Sequence, residues 1–161
     1  MKKITYIYLI FIVSISITDC SGYKTVLNNT NLQFVISDYS IAGNKKIGNQ
    51  IYSKLQNATS KNKQTPETKK LYILINSSKS KNITAKDGAG KALGYRISLS
   101  STVLVKSLKT GEVMLSETIS LSNTYKVQSL FFETKKLEDT TTENLINNIY
   151  QNIILKLSES I

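Results

Sequence analysis

The sequence predicts an α+β fold: a two-layer sandwich in which a mostly antiparallel or mixed four-stranded sheet carries two helices on one face, in the order β-α-β-β-β-α. Three observations predict it. Apolar residues keep to odd positions through two long runs between Leu93 and Val127. Ile47, Ile51 and Leu55 recur at four-residue spacing, and Leu145, Ile149, Ile153 and Leu157 do so again near the C-terminus. A period of two marks a strand with one buried face, and a period near 3.6 marks a helix with an apolar stripe.

The elements follow in order. Gln33 to Ile41 (QFVISDYSI) is rich in Phe, Val, Ile and Tyr and reads as a strand. Gly43-Asn44 supplies a turn and an N-cap for a helix over 44–59, in which Tyr52 and Ala58 flank the apolar stripe. Gly48 weakens that helix by about 1 kcal/mol relative to Ala. Residues 60–70 (SKNKQTPETKK) form a charged connector holding the sole proline, Pro66. Leu71 to Ile75 (LYILI) is a short continuous apolar run, read as an inner strand buried on both faces.

The strongest signal comes next. Leu93, Tyr95, Ile97, Leu99, Val103 and Val105 alternate with Gly94, Arg96, Ser98, Ser100, Thr102 and Lys106. Ser107 to Gly111 makes a turn, and Val113, Leu115, Ile119, Leu121, Tyr125 and Val127 repeat the pattern, so the pair forms a β-hairpin. A helix over 133–158 closes the chain, with Ile146, Tyr150 and Ile154 widening its stripe. The β-branched run Thr140-Thr141-Thr142 lowers helix propensity in its first half, which is expected to be irregular or to start late. With both helices on one face, the other face, carrying Ser, Thr, Lys and Arg96, is open to solvent or a partner.

The N-terminus reads differently. Lys2 and Lys3 precede an apolar run of 14 residues, Ile4 to Ile17, broken only by Thr5, Ser14 and Ser16. A spanning helix needs about 20 apolar residues, so residues 1–19 fit a signal peptide better than a permanent membrane helix. The only cysteine, Cys20, follows at once and has no partner for an internal disulfide. Ile17-Thr18-Asp19-Cys20 resembles the bacterial lipobox, whose cysteine is acylated and becomes the mature N-terminus. Asp19 departs from the pattern, since the preceding residue is normally small and uncharged; an ordinary signal peptide cut nearby would leave a free thiol instead. The resemblance implies diacylglycerol on Cys20, and Ser21 at the second mature position implies outer-membrane placement. Residues 20–32 then form a polar, lipidated tether and residues 33–161 one domain.

Twenty-one basic residues oppose 11 acidic ones, with no histidine and a net charge of +10. Such an excess suits anionic surfaces, and export argues for lipid phosphates rather than nucleic acid. Lysines scattered over solvated faces would give the same total. Catalysis is not expected: histidine, the commonest general base near neutral pH, is missing, and Asp38, Asp87, Glu112 and Glu117 fall on separate elements or faces. No cofactor or metal is expected from such carboxylates. Gly88-Ala89-Gly90-Lys91 lacks the full phosphate-loop spacing and leads into a strand, so it reads as a flexible loop.

Four stretches together carry a family likeness: Cys20-Ser21-Gly22-Tyr23; Ile47-Gly-Asn-Gln50-Ile-Tyr52-Ser-Lys-Leu55; Tyr95-Arg96-Ile97-Ser-Leu99 with Leu104, Thr110-Gly111 and Tyr125-Lys-Val127; and the final amphipathic helix. Their order resembles the LptE family, the lipoproteins that assist lipopolysaccharide assembly at the outer membrane. Ser21 is an insertion relative to the family's start of Cys, Gly and an aromatic residue. The resemblance covers nearly the whole mature chain through degenerate motifs. It implies a non-enzymatic, membrane-anchored protein seated as a plug in the outer-membrane barrel LptD and binding lipopolysaccharide. Arg96, the chain's only arginine, with Lys86 and Lys91, is then expected to meet lipid A phosphates or acidic barrel residues, because a guanidinium grips phosphate bidentately. An arginine covering a solvent-facing sheet accounts for the same position. The alternative function is a lipoprotein adaptor of another envelope complex, such as a transporter component or a cell-wall synthase activator.

Overall fold

Alternating sequence becomes a long, one-sided sheet in the computed structural model, which describes residues 34–59 and 68–160. The elements are β1 (Phe34–Gly43), α1 (Lys45–Thr59), β2 (Lys69–Lys86), β3 (Ala92–Ser107), β4 (Val113–Lys126) and α2 (Phe131–Ser160). This is the expected α+β order. The expected signal peptide, Cys20, the expected tether and Gln33 lie outside the described residues, as does 60–67 of the connector.

The sheet runs in the order β1-β2-β3-β4. β1 pairs parallel with β2, whereas β2–β3 and β3–β4 are antiparallel, so the sheet is mixed. A parallel neighbour demands a crossover, and α1 provides it. The junction into α1 is tight. Gly43 adopts φ 68°, the Asn44 amide donates to the Ser77 carbonyl at 2.6 Å, and Asn44 Oδ1 accepts from the Ile47 amide at 3.2 Å as the N-cap.

Odd-numbered side chains of β2, β3 and β4 face the helices. Leu71, Ile73, Ile75, Ile97, Leu99, Val103 and Val105 are all buried, against Ile47, Ile51 and Leu55 of α1 and Leu145, Ile146, Ile149, Ile153, Ile154 and Leu157 of α2. Position 101 is a serine in this otherwise apolar line. Its hydroxyl is buried and lies 2.8 Å from the buried hydroxyl of Ser77 on β2, so the two satisfy each other. Gly48, a liability for helix propensity, permits contact between layers: a Cβ there would stand 2.5 Å from Ile41 Cγ2 of β1.

Three expectations need correction. The run LYILI is not buried on both faces: Tyr72 and Leu74 are half-buried on the helix-free side, where Leu74 pairs across from Leu104. It is also only the start of an 18-residue strand, whose later part keeps the alternation with Ser and Lys rather than apolar residues. The ends of the β3–β4 pattern are not core, since Leu93 and Val113 are about half exposed. Finally, α2 is unbroken over 30 residues and starts at Phe131. Thr141 is buried, and the Thr142 hydroxyl both donates to the Glu138 carbonyl at 2.8 Å and accepts from Lys79 Nζ at 3.1 Å, so tertiary contacts override propensity.

The Gly43 junction yields a prediction. Any Cβ there must adopt a left-handed backbone and would collide with the Ser77 carbonyl. Gly43→Ala is expected to cost about 2–4 kcal/mol in urea denaturation. Gly88→Ala, whose Cβ meets nothing within 4 Å, is expected to change stability by less than about 0.5 kcal/mol.

Candidate functional site

The helix-free face of the sheet is built from even positions, and strand register aligns them into cross-strand rows. Asn76, Thr102 and Thr118 form one row; Ser78, Ser100 and Ser120 the next; then Ser80, Ser98 and Ser122; then Asn82, Arg96 and Thr124. The hydroxyls of Ser100 and Ser120 approach to 2.8 Å, and those of Thr102 and Thr118 to 2.9 Å. Neighbouring strands stand about 4.8 Å apart. The result is a lattice of short polar groups, with a small apolar patch of Tyr72, Leu74 and Leu104 at one end.

Arg96 lies in the outermost of these rows, exposed, where the sequence placed it. Lys86 and Lys91 meet at the β2–β3 hairpin. Lys86 pairs with Ala92, and the Asp87 amide donates to the Lys91 carbonyl at 2.9 Å. Asp87 Oδ1 accepts from the amides of Ala89 at 3.0 Å and Lys91 at 2.8 Å. The glycine-containing segment is therefore a hydrogen-bonded turn closing a hairpin. Four residues of β2, roughly 13 Å of strand, separate the Arg96 row from Lys86. The three cations share one hairpin, and only the two lysines are brought together. Cys20 lies outside the described residues.

The opposite face of the same hairpin carries a cluster that the sequence reading missed. Glu138 of α2 accepts from Lys81 Nζ at 2.7 Å, from Lys79 Nζ at 3.4 Å and from the Tyr125 hydroxyl at 3.2 Å, while Lys135 Nζ lies 3.8 Å away. Lys81 Nζ also sits 4.2 Å from the centre of the Tyr95 ring, and Tyr95 and Tyr125 pack at 5.8 Å. The Lys81 hydrogen bond, aided by the charges of Lys81, Lys135 and Lys79, holds the Glu138 carboxyl down at about 2. The same bond raises Lys81, and burial raises Tyr125. The signal was present in the spacing. Lys79 and Lys81 keep the odd phase of Ile73, Ile75 and Ser77, and Glu138 stands seven residues before Leu145 on the stripe of α2.

Beside this cluster, α1 and α2 diverge into an open cleft of about 640 Å³ lined by Lys46, Lys54, Lys79 and Lys135 together with Asp139 and Glu143. Lys135 is committed to Asp139 at 2.9 Å. Mixed charge on an open cleft gives no single preference for an anion or a cation.

The Glu138 cluster makes stability pH-dependent. A carboxyl held at about 2, against an ordinary 4.5, stabilises the fold fully above pH 4.5, and this contribution is lost as pH falls towards 2. Glu138→Gln is expected to cost about 1–2 kcal/mol at pH 7, tempered by partial exposure of the lysines. It is also expected to flatten the loss of stability between pH 4.5 and 2, as read from denaturation at stepped pH.

No family model and no curated protein matches this sequence. Solved structures do. Rare lipoprotein B from Shewanella oneidensis superposes with TM-score 0.54 at 9% identity, covering 76% of this chain and 94% of that one. A minor lipoprotein from Acinetobacter baumannii gives 0.55 at 11% identity, with coverage of 80% and 92%. Lipoprotein B from Nitrosomonas europaea, an uncharacterized protein solved by NMR, gives 0.50 at 12%, with coverage of 83% and 90%. At such identities the likeness shows the fold: this chain shares the α+β sandwich of these bacterial lipoproteins along most of their length.

Proposed function

We propose that the chain is a non-enzymatic lipoprotein of the outer membrane, held by lipid on Cys20, that assists lipopolysaccharide transport and assembly as the plug and partner of the LptD barrel. The observation that carries this reading is the hydroxyl face. The buried apolar core lies on the other side of the sheet, so the Ser/Thr rows of β2, β3 and β4 are presented outward. The interior of a transmembrane barrel is polar and lined by alternating side chains. A sheet face of short, uncharged hydroxyls matches such a wall without the desolvation cost of buried charge. The resemblance of the motifs to LptE supports the same reading, as does a fold shared with structures described as lipoproteins.

Within this reading, Arg96 together with Lys86 and Lys91 meets lipid A phosphates or barrel carboxylates. All three are exposed on the β2–β3 hairpin, and Arg96 offers a planar fork of donors. The neutral neighbours Asn82 and Thr124 leave that fork unopposed within its row.

Purification of the full chain from solubilised outer membranes is expected to recover a large β-barrel protein and bound lipopolysaccharide. The triple variant Arg96→Ala/Lys86→Ala/Lys91→Ala is expected to bind lipopolysaccharide about tenfold more weakly, since exposed charge contacts are each worth about 0.5 kcal/mol. Unchanged binding would remove these residues from the site. Recovery of a transporter or cell-wall synthase component in place of a barrel would establish an adaptor of another envelope complex. Mass spectrometry of the mature N-terminus is expected to find acylated Cys20, and a free thiol there would refute the anchor.

A further inference from the structure

The buried core stops well short of one end of the molecule. Beyond the Glu138–Tyr125–Lys81 contacts, none of residues 81–91 on the β2–β3 hairpin is buried, and none of residues 131–140 on α2 is buried. Ten residues of helix extend about 15 Å, comparable with the hairpin past Ile83. The two protrude from the same end, because β4 leads directly into α2: the Val127 amide donates to the Leu93 carbonyl at 2.9 Å, and the Gln128 amide donates to the Thr134 hydroxyl at 2.8 Å.

This protruding end is not polar. Phe131 is 83% exposed, Phe132 73% and Leu130 62%, three consecutive large apolar side chains in water. Ile83 and Leu93 on the hairpin are each 48% exposed. Isolated exposed apolar residues are ordinary, but a run of three with apolar neighbours at the same tip marks a contact surface. Its charge leans the same way. The segments 79–96 and 124–139 hold eight basic residues against four acidic ones, and of the eight, Lys79, Lys81 and Lys135 are paired with Glu138 and Asp139.

We propose that this end of the molecule is a phospholipid-surface contact, in which Leu130, Phe131 and Phe132 enter the headgroup–acyl boundary of an anionic leaflet while lysines such as Lys126 and Lys136 meet its phosphates. Aromatic and aliphatic side chains flanked in sequence by lysines are the composition of an interfacial wedge, with long lysine stems keeping their ammonium groups in the headgroup layer. Among the described residues no helix is long and apolar enough to cross a membrane, so the contact is shallow. Anionic headgroups above an acyl layer engage the lysines and the apolar side chains together. The inference goes beyond the barrel reading and stands without it.

The chain contains no tryptophan, so Phe131→Trp places a single fluorescent reporter at the tip. The full chain carrying this substitution is mixed with vesicles of phosphatidylglycerol and phosphatidylcholine, free of lipopolysaccharide. The expected result is a blue-shifted emission that brominated acyl chains quench, weakening in high salt and in pure phosphatidylcholine. Adding Lys126→Glu and Lys136→Glu, both at exposed positions, is expected to lower partitioning about tenfold or more. Phe132→Ser is expected to weaken quenching while leaving the denaturation midpoint unchanged. An emission that vesicles do not alter would overturn the proposal, even if lipid on Cys20 brings the protein down with them. So would a blue shift that grows with protein concentration in the absence of lipid, which would assign the tip to contact between copies.

Discussion

Odd-numbered side chains of β2, β3 and β4 share one face of the sheet, and only that face is dry along most of its length. Two helices cover it, α1 against β1 and β2, and α2 against β3 and β4. Strands of 18, 16 and 14 residues are longer than the buried core, which stops short of residues 81–91 on the hairpin and 131–140 on α2. One-sided burial explains the remaining features. It demands alternation, leaves the even positions to Ser and Thr, and forces the buried Ser101 to find a partner in Ser77. A hydroxyl pair in an apolar layer is tolerated because each group satisfies the other; removing one would strand its mate.

The boundary between the dry sandwich and its wet extension is electrostatic. At Glu138 the apolar stripe of α2 gives way to a carboxylate that gathers Lys79, Lys81 and the Tyr125 hydroxyl. Like-charged Lys79 and Lys81 project from one face of one strand, and Glu138 screens them from each other while tying the hairpin to the helix. Lys81 lies over Tyr95 as well, so its stem covers the last aromatic surface of the core. Glu117 and Lys156, paired at 2.8 Å, fasten the far half of α2 to the edge strand β4. Ion pairs thus hold both ends of α2, with apolar packing between them.

Much of the fold was legible because burial and periodicity coincide. Ile97, Leu99, Val103 and Val105 keep one phase, interrupted only by Ser101, and each is buried. Ile47, Ile51 and Leu55 mark α1 just as plainly. What hid the second half of β2 was composition: Asn76 to Asn82 is polar throughout, and a strand whose inner face carries Ser77, Lys79 and Lys81 has no hydrophobic alternation to detect. Its pairing with β3 supplies what its sequence lacks. The start of α2 was blurred for a related reason. Leu130, Phe131 and Phe132 read as apolar but bury against nothing, so they belong to no stripe. Arg96 was legible as an exposed cation on a named strand face, yet its distance from Lys86 follows from the length of β2, which the apolar run LYILI understates.

Length also constrains how the proposed contacts combine. β1 enters the sheet at Phe34, level with Lys69 at the start of β2, whereas the hairpin closes after Lys86. At about 3.3 Å per residue these levels stand roughly 60 Å apart. The polar rows of β2, β3 and β4 fill the interval between those two levels. A partner that takes the hydroxyl face and a surface that takes Leu130, Phe131 and Phe132 therefore use different residues of the same sheet-and-helix frame, and the length of β2 is what keeps the two contacts apart.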